Sequence, residues 1–423
     1  MRLALPAAAC LLAACPSAEP VDAYVAWPDP RATFPWGLPA ETGLQPYEEV
    51  RWETETWDPF VDQGMAAQYL VKASQHRQGA LPEVVEHHRL MNAAIPPLSG
   101  DGVRLSLVGD VMWLGTSWST FALPVADLLD GDLRIGNLET PVVPGAPTDL
   151  EELGLYTFNA PPELLDGLPL DLLQLNNNHS LDLGDAGLEA TVAEVTARGF
   201  DTTGVDGHAI VTVGDLDLAF VTYTWGLNGR GPSEDHELFV LPFGHIQDGE
   251  LDLAPLLADI AAARASADVV IVLPHWGFEY EYYADPWFLQ LGRRIVEAGA
   301  DLVVGHGPHV VQPAELCVVN DPRTLPGIGT CSLRDDGPPR TAAVLYSLGN
   351  FDTVQPTIPV QTGLVATIEV DRTGVRGMGW EAIATVPGGD SKEVVPLDSL
   401  VDDVDYAIEA GRLRTHLGTD WAR

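Results

Sequence analysis

Residues 103–110 read VRLSLVGD, a short apolar run that ends in a carboxylate. Four later segments have the same form: LRIGNLE at 133–139, LLQLNNNH at 172–179, VVIVLPH at 269–275 and DLVVGHGPH at 301–309. An apolar run that ends in polar groups predicts a buried strand with those groups at its carboxyl end. In open α/β sheets, ligands bind at that edge. The series therefore predicts an α/β domain that gathers carboxylate, amide and imidazole groups into a metal site.

Between and after these segments the pattern predicts further helices and strands. Residues 185–198 (DAGLEATVAEVTAR) place apolar side chains at helical spacing and are followed by Gly199, a common helix terminator. The other predicted elements are helices at 253–265, 287–298 and near 401–413, strands at 344–348 and 364–370, and a hairpin of 209–213 with 218–223. Strands that alternate with helices indicate α/β layers, and the added hairpin suggests two packed sheets.

The residues before this region have a different composition. Residues 16–100 are rich in Pro and Trp and lack the alternation of strands and helices. Within them, residues 65–94 are predicted to be mostly helical, with an interruption at 79–82. Three histidines of this stretch have polar neighbours and are predicted to be surface or capping residues: His76, His87 and His88.

The charge excludes one class of partner. The chain carries 61 acidic against 22 basic residues, a formal net charge of −39, and its only lysines are Lys72 and Lys392. A field of this sign repels nucleic acid and anionic lipid surfaces. The acidic residues are scattered between apolar segments, as expected for a solvated surface. We therefore predict a protein that does not bind nucleic acid.

Residues 1–15 (MRLALPAAACLLAAC) combine one basic residue with an apolar stretch that is too short to span a bilayer. They end in LAAC, which resembles the bacterial lipobox, in which the cysteine, here Cys15, is lipidated. An ordinary signal peptide with a coincidental cysteine is the alternative. The expectation is an exported protein, lipid-anchored to the bacterial cell envelope.

Export would permit a disulfide between the two cysteines outside that segment, Cys317 and Cys331. They bracket a loop rich in Pro and Gly (VVNDPRTLPGIGT). Closing a loop of this size would stabilise the fold by roughly 3 kcal/mol in the chain-entropy model. Two free thiols are the alternative.

Two carboxylates at predicted strand ends are candidate metal ligands. Asp110 follows Gly109, which lets the backbone approach closely, and its oxygens suit a hard metal. Asp110 could equally cap the next turn. Glu139, in GNLE at 136–139, is a similar group that could bridge two metals.

The third predicted strand ends in three asparagines and a histidine, NNNH at 176–179. Buried amides need hydrogen-bond partners, so this cluster is a poor choice for packing. An amide oxygen can bind a metal while the adjacent imidazole of His179 protonates a leaving group.

Three further histidines follow predicted strands. His275 is a candidate ligand with a carboxylate, Glu279, behind it, although a structural histidine is the alternative. His306 and His309 supply two imidazoles from one turn, a spacing compatible with a single metal cluster. Asn350, in SLGNF at 347–351, either lines the site or closes a turn.

The motifs resemble, in order, those of the CapA family, the poly-γ-glutamate capsule synthesis proteins with a calcineurin-like metallophosphatase fold. They are Gly109-Asp110, Asn137-Leu138-Glu139, Asn177-Asn178-His179 with Asp182 and Gly184, His275-Trp276-Gly277 with Glu279, Gly305-His306 with Pro308-His309, and Ser347-Leu348-Gly349-Asn350-Phe351. The resemblance runs from about residue 104 to 384, roughly two-thirds of the chain.

The resemblance implies an α/β fold of metallophosphatase type, a four-layer αββα sandwich with an N-terminal extension. The domains would be a lipoprotein signal peptide (1–15), the Pro/Trp-rich extension (16–100), the CapA-like domain (101–386) and a tail with a helix (387–423). Six residues would hold one or two divalent ions, Mn, Fe, Zn or Mg: Asp110, Glu139, Asn178, His275, His306 and His309. The catalytic residues would be His179, as the acid, and Glu279, and the substrate contacts would be Asn177 and Asn350.

Two positions depart from the related patterns. Met112 stands where metallophosphatases usually have a histidine, and Gly307 stands where many family members have one. Each change removes an imidazole, so the expected site holds one metal or a weakly bound pair.

Two functions follow as expectations. The first is a metal-dependent hydrolase that acts on a phosphoester or an amide of a cell-envelope polymer, with Glu279 orienting His275. The second is a non-catalytic binding component of a capsule polymer synthesis or export assembly. The expected partners are the polymer or its precursor, other capsule synthesis or export proteins, and a membrane reached through the lipid anchor.

Overall fold

The computed structural model describes residues 82–112, 121–154, 157–228, 230, 233–241, 253–284, 286–325, 327–353, 355, 357–388 and 391–418. The predicted signal segment with Cys15, most of the extension and His76 lie outside the described residues. Within the described ranges, every helix is too short or too polar to cross a membrane.

The described residues contain fifteen strands in one hydrogen-bonded sheet. They are β1 Val103–Val111, β2 Leu133–Leu138, β3 Leu172–Gln174, β4 Asp201–Thr203, β5 Ala209–Val213, β6 Leu216–Thr224, β7 Val269–His275, β8 Leu302–Val304, β9 Ala314–Val319, β10 Cys331–Leu333, β11 Arg340–Leu345, β12 Asn350–Asp352, β13 Thr362–Asp371, β14 Gly374–Gly388 and β15 Ser391–Pro396.

The helices among the same residues are α1 Pro82–Ala93, α2 Leu150–Leu153, α3 Glu163–Asp166, α4 Gly184–Ala197, α5 Ala254–Ser266, α6 Pro286–Glu297, α7 Ile358–Gln361 and α8 Val404–Leu417. Two 3₁₀ turns lie at Leu123–Leu128 and Leu397–Leu400. Helix α4 ends before Gly199, whose φ of 88° is the left-handed conformation that closes a helix.

The sheet contains two groups of parallel strands. β1 to β4 pair side by side in parallel, and β6, β7, β8 and β11 form the second parallel group. Antiparallel β13 and β14 lie between them, and β14 meets β11 at a single pair, Thr341 with Gly374. Parallel strands bring their carboxyl ends to a common edge, which places the polar strand ends of each group together.

Strand β7 shows why these segments are apolar throughout. Val270 and Val272 pack into the core that includes α5 and α6, whereas Val269, Ile271 and Leu273 pack into the core shared with β1 and β13. Because successive side chains point to opposite faces and both faces are covered, every position favours an apolar residue.

A third core lies on the far side of the first parallel group, where Val108 and Leu173 pack with residues of α3 and α4. The structure is therefore a mixed α/β fold with one large sheet and helices. The finer arrangement as a four-layer sandwich stays a prediction. The predicted hairpin is β5 with β6, which pair antiparallel.

The expectation that His87 and His88 are surface or capping residues is wrong. Their exposed fractions are 0% and 1%. His87 Nε2 lies 2.6 Å from an oxygen of Glu315, and Arg293 donates to both oxygens of the same carboxylate. Glu315 is 228 residues away from His87 in the chain. Local polarity could not reveal this partner, because it reaches helix α1 only through the tertiary fold.

Cys317 and Cys331 form a disulfide between neighbouring strands β9 and β10. Replacing both cysteines by alanine should lower the free energy of unfolding by about 3 kcal/mol, since the loop between them is no longer closed in the unfolded chain. Urea unfolding of the double variant and of wild type checks this value. Two alkylatable thiols in the purified wild-type protein would contradict the disulfide.

Candidate metal centre

Asp110 is held where three strands meet. In register, it pairs with Asn137 of β2 and with Asn350 of β12. Its neighbour Gly109 allows this, because a Cβ atom there would lie 1.8 Å from the carbonyl oxygen of Gly349. The close approach lets the Asp110 N–H donate to the Gly349 carbonyl at 3.1 Å.

The Asp110 carboxylate is completely buried and surrounded by donors. Asn137 donates to Oδ1 at 2.8 Å, and the Gly307 N–H donates to Oδ2 at 3.1 Å. The rings of His306 and His309 place Nδ1 at 3.1 Å and 3.3 Å from its two oxygens. Burial alone would raise the pKa of Asp110, but the hydrogen bonds with these imidazoles hold it well below its ordinary value. Asp110 is therefore an anion at neutral pH.

Glu139 differs from Asp110 although both are buried. Among the described residues, none donates a hydrogen bond to either of its carboxylate oxygens. Burial, together with the charge of Asp110, raises the pKa of Glu139 well above its ordinary value. Three imidazole Nε2 atoms surround its Oε1 at 3.6 Å (His275), 3.8 Å (His309) and 4.0 Å (His179). An orphaned buried carboxylate of this kind is what a bound cation would satisfy.

Asp110, Glu139 and His275 offer ligand atoms that all lie within 4.8 Å of one another. Burial lowers the pKa of His275 to about 3. A neutral imidazole is the form that coordinates a metal, so its environment suits that role. Carboxylate oxygen with imidazole nitrogen fits Mn, Fe or Zn, so the residues present fit a divalent ion.

The two predicted amide residues after β3 behave differently. Asn177 donates to Asn137 and to the Leu138 carbonyl, and it accepts from the His179 N–H, so it braces the loop. Asn178 donates to Asn228 at 3.2 Å, and its own buried Oδ1 has no donor within the described part of the chain. The free oxygen makes Asn178 the amide that could serve as a ligand.

His179 is fixed on three sides. Its Nδ1 lies 2.7 Å from Asp182, the Phe158 ring stacks on it at a centroid distance of 4.1 Å, and the Asn228 amide lies 3.4 Å from both ring nitrogens. Asp182 also accepts from the Phe158 N–H at 2.7 Å. With Nδ1 facing a carboxylate, the ring presents Nε2 towards Glu139.

Glu279 was predicted to orient His275, but the imidazole that it contacts is His309, with Oε1 at 3.8 Å from Nε2. The other nitrogen of His309 lies 3.0 Å from the oxygen of Asn350, which therefore lines the site. Burial would lower the pKa of His309, but Glu139, the hydrogen bond with Asp110, and Glu279 together raise it to about 10.

Four residues that help to build the site had no role assigned from the sequence: Asn137, Asp182, Phe158 and Asn228. Asn137 links Asp110 to Asn177 and lies 3.4 Å from His275. Its position inside a strand-end motif was a usable signal. Asp182, three residues after His179, was another. Phe158 and Asn228 carry no local signal, since they reach His179 from separate loops.

Known proteins resemble this chain in sequence. The family model described as bacterial capsule synthesis protein PGA_cap matches residues 104–355. The PGA biosynthesis protein CapA of Bacillus subtilis (strain 168) is 28% identical over 239 residues, which is 52% of this chain and 53% of that protein. The capsule biosynthesis protein CapA of Bacillus anthracis is 29% identical over 300 residues, 61% of this chain and 62% of that protein.

A probable polyglutamine synthesis accessory protein of Mycobacterium tuberculosis is 28% identical over 233 residues, 50% of this chain and 58% of that protein. The chain thus spans between 53% and 62% of the length of these three relatives. The match confirms the resemblance expected from the motifs. Because the family model covers more than half of the chain and every strand-end residue of the site, the chain belongs to the PGA_cap family of bacterial capsule synthesis proteins.

Proposed function

We propose that the chain is a metal-dependent hydrolase that acts on a phosphoester or an amide of a cell-envelope polymer. The observation that carries the proposal is Glu139, a fully buried carboxylate that has no hydrogen-bond donor among the residues the structure describes and lies within 4.8 Å of ligand atoms of Asp110 and His275. A divalent ion held there would polarise the scissile group and activate water. The names of the relatives refer to capsule and PGA biosynthesis, which supports poly-γ-glutamate or its precursor as the polymer.

The acid in this proposal is His179. The Asp182 carboxylate accepts a hydrogen bond from Nδ1 at 2.7 Å, which fixes the orientation of the ring. Phe158 covers one face of the ring at 4.1 Å and keeps water from it. Nε2 then holds the proton that can pass to a leaving group, on the side that faces Glu139.

The polar residues around this centre would contact the substrate. The free Oδ1 of Asn178 could serve as a further ligand, and Asn350 holds the ring of His309. The site draws on both groups of parallel strands, as in a four-layer αββα sandwich. We propose that arrangement for the fold. Met112 and Gly307, which stand in place of expected imidazoles, favour the second candidate, a non-catalytic binding component of a capsule assembly.

Glu139→Gln tests the proposal. Wild type should bind a divalent ion and hydrolyse a generic phosphodiester, whereas the variant should lose both, since an amide cannot supply the anionic oxygens. At an ion concentration of 100 times Kd, binding should stabilise wild type by about 2.7 kcal/mol. Elemental analysis, thermal unfolding with and without Mn²⁺, and an assay on bis(p-nitrophenyl) phosphate measure these effects.

Glu393→Gln is the matched control, because Glu393 is an exposed glutamate on β15. It should behave like wild type in all three measurements. Ion binding without turnover of any phosphodiester or amide would support the non-catalytic candidate instead. If wild type bound no divalent ion, the proposed metal-dependent hydrolysis would be excluded.

We also propose that the mature chain is exported and anchored to the cell envelope through a lipid on Cys15. The support is the LAAC sequence after a short apolar segment. One acyl chain gives only marginal anchoring, so two or more are expected. A fatty-acid analogue supplied to cells should label wild type and not Cys15→Ala, and equal labelling of both would contradict the anchor.

A further inference from the structure

Arg230 is an exposed arginine next to the residues that hold the proposed acid. Its Nη2 donates to the carbonyl of Asp182 at 3.2 Å, and the carboxylate of Asp182 is the group that orients His179. Among the residues that the structure describes, no carboxylate pairs with the Arg230 guanidinium. The Asp182 carboxylate is already engaged by His179 and by the Phe158 N–H. A permanent positive charge beside the proposed acid therefore has a carbonyl as its contact and lacks an anionic one.

This arrangement is unusual in a chain with 61 acidic against 22 basic residues. Other exposed arginines of the described ranges pair with carboxylates, and examples are Arg89 with Glu86, Arg323 with Asp321 and Arg372 with Asp215. Arg334 is an exception, because its donors go to the Ser332 hydroxyl and to two backbone carbonyls. Arg334 directly follows β10, whereas Arg230 lies beside the site.

The loop of Arg230 reaches into the site through Asn228. The amide nitrogen of Asn228 lies 3.4 Å from both ring nitrogens of His179, and its oxygen accepts from Asn178 at 3.2 Å. Asn228 has a φ of 49°, a left-handed conformation that Asn tolerates better than most residues. The Arg230 N–H donates to the carbonyl of Leu227 at 2.9 Å. These contacts hold Arg230 two residues away from a side chain that touches the proposed acid.

Burial decreases from the metal centre towards Arg230. Asp110 and Glu139 are completely buried, and His179 is 5% exposed. Asn228 is half-buried and Arg230 is exposed. The series leads from the candidate ligands to solvent, so Arg230 lies at the rim of the site on the side of His179.

The charge of the chain indicates what such an arginine could do. A net charge of −39 repels a substrate that carries carboxylates, and the anionic Asp110 adds to this repulsion inside the site. A guanidinium stays charged at physiological pH and offers a planar pair of N–H donors that matches a carboxylate. An anionic substrate therefore needs a local cation, and Arg230 supplies one beside the acid.

We propose that Arg230 binds a carboxylate on the leaving-group side of the substrate and thereby selects amides whose leaving amine carries a carboxylate. In a γ-glutamyl chain, each amide nitrogen is bonded to a carbon that bears a carboxylate. In the proposed reaction, water adds to the carbonyl carbon and His179 protonates the nitrogen as the C–N bond breaks, so this carboxylate comes next to Arg230. The inference rests on the proposed hydrolase and adds its substrate class, an amide rather than a phosphoester.

The test measures how tetra-γ-glutamate binds to the full-length chain without divalent ions, so that the proposed reaction does not cleave the probe. In calorimetric titrations, the dissociation constant of Arg230→Gln should be at least about tenfold higher than that of wild type, since a charge-assisted contact is lost. Arg230→Lys keeps the charge without the planar pair of donors and should lie between them. A neutral probe, in which every carboxylate is a carboxamide, should distinguish wild type from Arg230→Gln far less.

Arg334→Gln is the matched control, because it removes the same charge from another exposed arginine. It should bind tetra-γ-glutamate like wild type, since Arg334 contacts residues outside the site. Equal dissociation constants for wild type and Arg230→Gln, an equal loss in Arg334→Gln, or no binding by wild type would each overturn the inference. None of these results decides the metal-dependent hydrolase, which the Glu139→Gln experiment tests without a glutamyl probe.

Discussion

His179→Asn should lower the turnover of a phosphodiester by about 100- to 10 000-fold, the usual contribution of a positioned acid. Its metal content should equal that of wild type, because Nδ1 is engaged by Asp182 and Nε2 lies 4.0 Å from Glu139, outside the closest ligand group. Steady-state kinetics and elemental analysis on the same preparation measure the two quantities. This prediction depends on the hydrolytic function proposed above.

His208→Asn is the matched control for that experiment. His208 also places Nδ1 near a carboxylate, 2.8 Å from Asp259, but His208 directly precedes β5 and Asp259 lies on α5, so the pair is not part of the site. Its turnover should be close to that of wild type. If His179→Asn lost metal and turnover together, His179 would be a ligand, and if it kept its turnover, the acid would be another group.

Arg293→Met should lower the free energy of unfolding by about 3–5 kcal/mol, the cost of leaving a buried carboxylate without its charged partner. Arg293 contacts both oxygens of Glu315 at 3.0 Å and 2.8 Å, and His87 and Tyr346 complete the cluster. Both partners are almost fully buried, with side-chain exposures of 5% and 0%. Urea unfolding at neutral pH measures the change.

Arg89→Met is the control, since Arg89 pairs with Glu86 at the surface, where side-chain exposures are 55% and 47%. It should change the stability far less, because water screens exposed pairs. Equal losses in the two variants would contradict the role assigned to burial.

The same cluster should make the stability depend on pH in acid. Burial raises the pKa of Glu315, but Arg293 and His87 outweigh it and hold the pKa well below the ordinary value of 4.5. The folded state therefore binds fewer protons at this group than the unfolded state. Its contribution is fully present above the unfolded pKa and is lost as the pH falls towards the folded pKa. Arg293→Met should reduce this acid-sensitive part of the stability.

Much of the site could be predicted from local pattern. Residues 269–275 form a buried strand that ends at His275. The structure places the ring of His275 against Glu139, which ends another predicted strand. This prediction was possible because parallel strands align their carboxyl ends. A residue's position along its own strand therefore indicates whether it will lie at the ligand-binding edge of the sheet.

The role of Glu279 could not be obtained in the same way. Sequence proximity suggested His275 as its partner, four residues earlier, whereas the structure brings it to His309. The two loops meet through the Tyr280–Pro308 hydrogen bond, and neither loop contains a sign of the other. Short-range spacing therefore indicated a plausible neighbour and missed the actual one.

The sequence by itself determined the α/β class, the strand ends that carry the polar groups, and the family, because hydrophobic period and motif order are local properties of the chain. Only the tertiary structure decided that His87 is buried against Glu315, that Asn137 joins Asp110 to Asn177, and that Phe158 covers His179. Each of these contacts joins segments that are distant in the chain. Their free energy arises from desolvation in a shared interior, which exists only after the segments have packed.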